Sequence, residues 1–296
     1  MTKLARAIPR FGEFIPTMQP SYAAADDVME EHGGKTWADI KYDGYRVQIH
    51  KSSRGLKVFT RNGNELNYQC YPEVLEIIDR QLPSCIVEAE LVGKGSGHKE
   101  VFDNVKKRFR RPGIKDESMQ KYLQSGIVND VPLELKLFDT LKFERKGILY
   151  QPIEERRKVT ESLAGPGIEP ADTQLVTSVE DLVRIVDESF DNREEGRICK
   201  KPGSLYLPGK RTLDWVKFKR SETLDLTIVG FYVNEDLAHM PFTSVLVAAY
   251  NDKACRYETL GKVGVTRESF ANDIHERVKE HMMTQSPTNV AFSEEL

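Results

Sequence analysis

The stretch KYDGYR at residues 41–46 decides the fold of this chain, together with TRNG at residues 60–63 on the next predicted strand. Gly44 permits the close backbone approach or the unusual dihedral angles of a tight bend. A lysine is a poor nucleophile while it is protonated, so Lys41 needs neighbouring cations or a metal ion that lower its pKa. Taken alone, a lysine at the start of a strand is more often a solvent-facing residue, and the neighbouring sequence has to decide between the two interpretations.

Periodicity around this stretch predicts a mixture of strands and helices. Alternating apolar and polar residues predict strands at Ile40–His50, Leu56–Arg61, Ile86–Val92, Leu133–Asp139, Asp214–Lys219 and Asp225–Val233. Helical spacing predicts helices at Ala23–Glu31, Pro72–Leu82, Ile153–Leu163 and Val179–Phe190. Because strand pairs lie close together in sequence, we expect a mostly antiparallel α+β domain instead of a regular βαβ array.

A domain boundary is predicted just after Arg220, which divides the chain into residues 1–220 and 221–296. The second part has strand-like segments at Leu224–Val233, Ser244–Tyr250 and Ala254–Val263, and an amphipathic helix from about Thr266 to Met283. That order of elements predicts a small β-barrel that is not completed.

Composition excludes several classes of protein. The 296 residues are 39% apolar and 30% charged, which is enough to bury a core in one large and one small domain. The longest apolar stretches are far shorter than the roughly 20 residues of a membrane-spanning helix. The N-terminal segment lacks the apolar region of a secretion signal, and the four cysteines form no C-x-x-C pair for zinc. We therefore expect an intracellular protein without a membrane partner.

Positive charge is concentrated in two segments although the net charge is −3. Residues 197–220 contain eight basic residues and one acidic residue, and residues 106–111 contain five basic residues in six positions. Such segments can line a phosphate-binding groove even on a mildly acidic protein. The alternative is a solvated helix face, which is the more common origin of an arbitrary basic run.

The order of the motifs resembles one superfamily. Residues 41–46 match K-x-D-G-x-R, the nucleophile motif of the covalent nucleotidyltransferases, which include DNA ligases, RNA ligases and mRNA-capping enzymes. EAELV at residues 88–92, LFD at 137–139, EGRICK at 195–200 and WVKFK at 215–219 resemble further motifs of that superfamily, in its order and approximate spacing. The resemblance spans roughly residues 14–263.

The connection between the last two motifs resembles one branch. KKPGSLYLPGKRTLDWVKFK at residues 200–219 is similar to the archaeal and eukaryotic type of ATP-dependent DNA ligase, whereas capping enzymes and RNA ligases do not usually carry its P-G-K-R segment. The resemblance implies a nucleotidyltransferase (adenylation) domain with an ATP-grasp-like fold at residues 1–220 and a partial OB-fold domain at residues 221–296. It implies ATP as the donor and nicked duplex DNA as the substrate.

The resemblance also assigns roles to individual residues. Lys41 is the expected nucleophile, which attacks the α-phosphate of ATP and forms a lysyl-AMP. ATP or AMP is expected to contact Asp39, Arg46, Arg61, Glu90, Phe138, Lys217 and Lys219. Mg²⁺ or Mn²⁺ is expected on Glu90 and Glu195, since such ions prefer oxygen ligands. Asp39 stands where family members commonly have Glu to recognise the adenine edge, and the shorter acid departs from the family's pattern.

Contacts to the DNA are expected from further basic side chains, of which Lys200 and Arg211 are expected near the nucleotide or the nick phosphates. The expected DNA-binding residues are Lys106, Lys107, Arg108, Arg110, Arg111, Lys200 and Arg211. Glu88 and Glu194 match no motif position and are interpreted as surface carboxylates. Further expectations are a monomer, a sliding clamp as a partner of missing regions, and a location in the prokaryotic cytoplasm (nucleoid) or the eukaryotic nucleus.

Two alternatives remain open from the sequence. The first is another nucleotidyltransferase, an RNA ligase or a capping guanylyltransferase, and the second is a non-catalytic DNA-binding module whose lysine is inert. The family's C-terminal R-x-D-K-like motif and its large N-terminal helical DNA-binding domain have no counterpart in the 296 residues. We therefore expect a fragment or a truncated chain, with slow self-adenylation and weak nick sealing.

Overall fold

Two units form the chain, Met1–Arg220 and Ser221–Leu296. The computed structural model describes residues 9–67, 70–93, 98–108, 116–191, 194–219, 224–234, 237, 239–265, 267–283 and 287–293. The strands of the first unit are β1 (Gln19–Tyr22), β2 (Thr36–Ile40), β3 (Tyr45–Ser52), β4 (Gly55–Thr60), β5 (Cys85–Gly93), β6 (Leu133–Phe143), β7 (Lys146–Gly147), β8 (Ile168–Pro170), β9 (Thr173–Val176), β10 (Arg197–Lys200) and β11 (Arg211–Phe218). Its helices are α1 (Ala25–Glu31), α2 (Pro72–Gln81), α3 (His98–Arg108), α4 (Asp116–Gln124), α5 (Ile127–Asp130), α6 (Ile153–Ser162) and α7 (Val179–Asp191).

The strands of the first unit pair into two sheets. Sheet A has the order β1-β11-β10-β2-β9, and sheet B has the order β4-β3-β5-β6-β7 with β8 also paired to β6. The β1–β11 and β6–β8 pairs are parallel, and the other pairs within these two sheets are antiparallel. The prediction of a mostly antiparallel α+β domain is therefore confirmed.

Helices cover one face of each sheet. On sheet A, Ala38, Cys199 and Val216 pack in one apolar cluster with Val28 of α1 and Leu182 of α7. A separate cluster buries one face of sheet B beneath α2, with contributions from α3 and α4. Because successive side chains of a strand point to opposite faces, Trp215 and Lys217 face away from the helices that cover Val216. The two sheets therefore direct their polar side chains toward the space between them.

The segment between β2 and β3 crosses from sheet A to sheet B. The sequence predicted one strand over Ile40–His50, but β2 ends at Ile40 and β3 begins at Tyr45. Gly44 makes this crossing possible, since a Cβ atom at that position would lie 2.3 Å from the backbone oxygen of Leu91. Lys41 is consequently placed at the junction of the two sheets instead of within a strand.

The second unit is a small sheet with one helix. Its elements are β12 (Thr227–Tyr232), β13 (Ser244–Asn251), β14 (Arg256–Gly264), α8 (Glu268–Val278) and β15 (Val290–Ala291), with a 3₁₀ turn at Lys279–His281. The strands pair in the order β12-β13-β14-β15, and Phe242, Val245 and Ala271 form part of their core. Across the described part of both units, the helices are all too short or too polar to span a bilayer.

Candidate functional site

A cavity of about 750 Å³ opens in the first unit, with walls from both sheets. Seven of the eight residues predicted to bind or react with ATP line it, namely Asp39, Lys41, Arg46, Arg61, Glu90, Phe138 and Lys217. The eighth, Lys219, is close enough to Lys41 to shift its pKa. The folded chain thus brings together residues that are up to 180 positions apart in sequence.

Lys41 occupies a half-buried position in this cavity. Its backbone N–H donates to the backbone oxygen of Gly196 at 2.9 Å, which fixes the junction against sheet A. Burial and the neighbouring cation of Lys219 lower the pKa of its amine to about 8. The amine also forms an ion pair with Glu195, a contact that favours the ammonium form. The net effect is an amine that is far easier to deprotonate than an ordinary lysine.

Glu195 lies between two lysines. One of its oxygens accepts from Lys219 at 2.9 Å, and the other contacts Lys41. Gly196 places this carboxylate, because it has a φ of +126° and a Cβ there would lie 2.5 Å from the backbone oxygen of Phe218. Positive charge in this part of the cavity therefore exceeds the negative charge that Glu195 supplies, and a phosphate group would be attracted there.

Lys217 lies two residues before Lys219 and also borders the cavity. Its ammonium is 4.7 Å from the ring centroid of Tyr22 and 3.5 Å from the hydroxyl oxygen of that residue. Tyr22 belongs to β1, which pairs in parallel with β11. No motif in the sequence singled out Tyr22, and its proximity to Lys217 arises only from this long-range strand pairing.

Glu90 faces Lys41 from sheet B. Burial raises the pKa of its carboxyl to about 7, although the nearby cations of Arg46 and Lys41 oppose that shift. Within the described residues, no group of three His, Cys, Asp or Glu side chains is arranged to hold a metal ion. Mg²⁺ commonly binds one or two protein carboxylates together with substrate phosphates. Glu90 and Glu195 provide a donor set of that kind beside Lys41.

Glu88 was wrongly interpreted as a surface carboxylate. Its side chain is completely buried, pairs with Arg46, and accepts from Gln48 at 3.2 Å. Arg46 also donates to the backbone oxygen of Met18 at 2.9 Å, while its Nε is buried without a hydrogen-bond partner among the described residues. The alternation of a strand could have revealed Glu88, since residues two apart share a face and Glu90 was already assigned to the site. Glu194 is half-buried beside Arg197.

A closed ionic cluster forms around Asp39 in the wall of the cavity. Asp39 is buried and accepts from Lys200 at 2.5 Å, from Arg157 at 2.9 Å and from Thr173 at 2.7 Å. Burial alone would raise the pKa of Asp39, but Lys200 and Arg157 outweigh burial and lower it below its ordinary value. Asp39 is therefore ionised and fixed. Arg157 and Thr173 match no motif, so neither residue was predicted to belong to the site.

Lys200 was wrongly predicted to contact DNA. Its side chain is 2% exposed, and its amine donates to the backbone oxygen of Phe138 at 3.0 Å besides pairing with Asp39. The amine also lies 4.6 Å from the ring centroid of Trp215 and 5.3 Å from that of Phe138. Lys200 thus helps to build the wall of the cavity, and Phe138 presents a half-buried ring beside it.

The basic segment near residue 108 divides into different environments. Arg108 is completely buried, where it pairs with Glu73 and donates to Tyr122 at 2.5 Å, so the prediction of a DNA contact there was wrong. Lys106 and Lys107 are exposed on α3. Arg110 and Arg111 lie outside the described residues.

Arg61 and Arg211 share a partner next to the cavity. Arg211 donates to the backbone oxygen of Pro20 at 2.6 Å and to the side-chain oxygen of Gln19 at 2.7 Å. Arg61 donates to the same side-chain oxygen at 3.1 Å. Both arginines remain exposed, and Pro20 and Arg61 line the cavity. Gln19 therefore holds the side chains of Arg61 and Arg211 close together beside the cavity.

Comparisons with known proteins agree with this geometry. The profile of the ATP-dependent DNA ligase domain matches residues 16–219. A DNA ligase of Thermococcus fumicolans is 33% identical over 255 residues, which cover 84% of this chain and 44% of the relative. A DNA ligase of Natronomonas pharaonis is 31% identical over 284 residues, which cover 94% of this chain and 49% of the relative. The chain thus spans about half the length of the curated relatives it matches.

Solved structures share the fold at low sequence identity. A mycobacterial DNA ligase D complexed with ATP and MES aligns with a TM-score of 0.55 and 21% identity, over 96% of this chain and 84% of that one. A structure from a study of Lig E DNA ligases aligns with a TM-score of 0.59 and 14% identity, over 88% of each chain. These likenesses show a shared fold, and the match over residues 16–219 identifies the family. The chain belongs to the ATP-dependent DNA ligase domain family.

Proposed function

We propose that this chain is the catalytic core of an ATP-dependent DNA ligase and that Lys41 is its nucleophile. The observation that carries the proposal is the amine of Lys41, which is half-buried beside Lys219 with a pKa of about 8. Near neutral pH such an amine loses its proton at a small cost, and the neutral amine is the form that attacks phosphorus. An inert surface lysine would have neither this burial nor this pKa.

In the first step, the nitrogen of Lys41 attacks the α-phosphorus of ATP. A nitrogen–phosphorus bond forms, the bond to the pyrophosphate oxygen breaks, and the nitrogen loses its remaining excess proton. Negative charge increases on the phosphate oxygens as the bonds exchange, and Lys217 and Lys219 supply positive charge at that place. The products are a lysyl-AMP and pyrophosphate.

The next two steps act on a nick in duplex DNA. A 5′-phosphate oxygen attacks the lysyl-AMP, which frees the amine and forms a DNA-adenylate. The 3′-hydroxyl oxygen then attacks the 5′-phosphorus, seals the strand and expels AMP. Each step is a substitution at phosphorus with similar charge development, so one set of cations can serve all three.

Residues 1–220 act in this proposal as the nucleotidyltransferase domain, and residues 221–296 as part of an OB-fold domain. The adenine stacks on Phe138, whose ring lines the cavity. Glu90 and Glu195 would hold a Mg²⁺ ion, which would supply further positive charge to the phosphates. Exposed Lys106 and Lys107 contact DNA phosphates, as do Arg110 and Arg111, and Arg211 acts near the nick.

Intact-protein mass spectrometry after incubation with ATP and Mg²⁺ tests the proposal. We expect a mass increase of one AMP in the unaltered chain and none in Lys41→Arg, which keeps the charge but not the reactive amine. Lys57→Arg is the matched control, because Lys57 is exposed on β4 and does not line the cavity. An AMP adduct that persists in Lys41→Arg would contradict the assignment.

The same preparation separates the related activities. A DNA ligase takes the adduct from ATP instead of GTP and transfers it to nicked DNA. Preferential labelling by GTP would indicate a capping guanylyltransferase, and preferential sealing of nicked RNA would indicate an RNA ligase. Salt-sensitive DNA binding without any adduct would indicate a non-catalytic module.

A further inference from the structure

A chain of contacts outside the family motifs leads to Asp39. Asp39, Lys200 and Phe138 are called the base end of the cavity, because the proposed function stacks the adenine on Phe138. The indole N–H of Trp37 donates to Glu154 at 3.0 Å, and the backbone N–H of Gly203 donates to the same carboxylate oxygen at 3.0 Å. The guanidinium carbon of Arg157 lies 4.9 Å from the ring centroid of Trp37. Arg157 in turn donates to Asp39 at 2.9 Å. Side chains of helix α6 and strand β2 therefore form a continuous series of contacts that reaches Asp39, whose carboxylate lines the cavity.

Three donors leave Asp39 little remaining capacity. Its Oδ1 accepts from Arg157 and Thr173, and its Oδ2 accepts from Lys200. An ionised carboxylate has about four lone-pair sites, so one site stays available, on Oδ2. That site can accept an N–H from a base but is repelled by a carbonyl oxygen. Adenine carries an exocyclic amino group where guanine carries a carbonyl, so a fixed Asp39 favours adenine.

The short side chain of aspartate makes this fixation necessary. A glutamate has one further rotatable bond, with which its carboxylate could adjust to the base. The carboxylate of Asp39 has less freedom, so its position depends on its bonded partners. We infer that Arg157 is a positioning residue for base selection, which holds Asp39 so that its remaining acceptor site faces the amino group of adenine. This inference rests on the proposed function and names the residue that gives its ATP site a preference over GTP.

The neighbouring arginine shows what a purely structural role looks like. Arg156 is completely buried, donates to Asp139 at 2.7 and 3.0 Å, and donates to the backbone oxygens of Gln151 and Ser204. Asp139 does not line the cavity. Arg157, by contrast, is partly exposed and directs its guanidinium to a cavity residue. The two adjacent arginines of α6 therefore serve different purposes.

Affinities for ATP and GTP, measured by calorimetry, test the inference. The measurements use Lys41→Met as the background, so that no covalent adduct forms. We expect Arg157→Met to lower the preference for ATP over GTP by about tenfold, chiefly through weaker ATP binding. Arg157→Lys keeps a cation near Asp39 and recovers part of the preference. Thr173→Val removes only one hydroxyl donor to the same oxygen and lowers the preference by about threefold.

Lys158→Met is the matched control, because Lys158 directly follows Arg157 in α6 but is exposed and forms an ion pair only with Glu155 among the described residues. It should leave the preference unchanged. A purely structural role of Arg157 would weaken ATP and GTP binding equally, and an unchanged preference in both Arg157→Met and Thr173→Val would overturn the inference. If Arg157→Met fails to fold, Thr173→Val decides alone. Absence of an AMP adduct in the unaltered chain would count against the proposed function, since these affinities do not depend on it.

Discussion

The base end of the cavity differs in charge pairing from the phosphate end, the name used for Lys41, Lys217, Lys219 and Glu195. At the base end, Asp39 and Lys200 are 2% and 1% exposed and are tied to each other. At the phosphate end, the side chains of Lys41 and Lys219 are 20% and 36% exposed and share one carboxylate. A buried and fully paired group is held in place before any ligand arrives. A partly exposed cation with an incomplete partner stays available for chemistry.

The surplus of positive charge explains the difference in reactivity. Glu195 lies between Lys41 and Lys219, and burial together with the neighbouring cations of Lys219 and Lys217 lowers the pKa of Lys41. The same repulsion is relieved when a phosphate group enters. At the base end, Lys200 and Arg157 are both bonded to the buried carboxylate of Asp39, and a neutral base adds no charge when it binds. Under the proposed function, recognition of the base and reaction at phosphorus thus depend on different residues of one cavity.

The largest expected effect comes from breaking the base end. Lys200→Met should lower the free energy of unfolding by about 3 kcal/mol, because it leaves Asp39 buried with an incomplete set of donors. Urea unfolding followed by circular dichroism measures the change. Lys201→Met is the control, since Lys201 forms an exposed pair with Glu31 and should cost less than about 1 kcal/mol. Equal losses in the two variants would show that the base end is not a preorganised cluster.

The next largest effect is expected at the phosphate end, where a substitution should change the rate of self-adenylation more than the free energy of unfolding. Lys219→Met should lower the rate of self-adenylation by about 100-fold, because one cation facing the phosphate is lost. The free energy of unfolding should change by less than about 1 kcal/mol, since Lys219 is partly exposed. Single-turnover adenylation and urea unfolding on the same preparation compare the two quantities. A variant that loses stability but keeps its rate would remove the distinction between the two ends.

Dependence on pH sharpens the comparison further. The pKa of Lys41 is lowered to about 8, and the neutral amine is the reactive form, so kcat/KM for ATP should rise about tenfold per pH unit below neutrality and level off above pH 8. Lys219→Met removes a cation that lowers this pKa, so the same rise should move to higher pH. Thr173→Val acts at the base end and should leave the profile in place. Initial rates of adduct formation across this range provide the test.

Local sequence was sufficient to predict the position of a residue where that position depends on its own strand or motif. The K-x-D-G motif singled out Lys41, which lines the cavity, and the strand predicted over Asp214–Lys219 overlaps β11. The prediction of one continuous strand over Ile40–His50 was wrong because periodicity does not register the crossing between sheets. Helices α3 and α4 were not predicted, and both are polar on average.

Sequence was insufficient where a side chain's partner lies far along the chain. Arg108 looked like one more surface cation in a basic run, but Glu73 and Tyr122 bury it from two other helices. Lys200 carried the same positive charge as its neighbour Lys201, and only the pairing of β10 with β2 brings it to Asp39. Burial of a charge depends on its partner, and no local pattern identifies a partner more than 100 residues away.

The smallest expected effect concerns Tyr22, which is 69% exposed yet keeps the ammonium of Lys217 4.7 Å from its ring centroid. Tyr22→Leu should lower kcat/KM for ATP by about threefold, because an exposed cation–π contact contributes roughly 0.5–1 kcal/mol. Tyr22→Phe keeps the ring and should retain most of the rate, which identifies the ring and not the hydroxyl as the group that holds the amine. Unfolding in urea should be unchanged in both variants. If Tyr22→Leu and Tyr22→Phe lose the same activity, the hydroxyl at 3.5 Å holds Lys217 instead, and the phosphate end relies on a hydrogen bond to orient this cation.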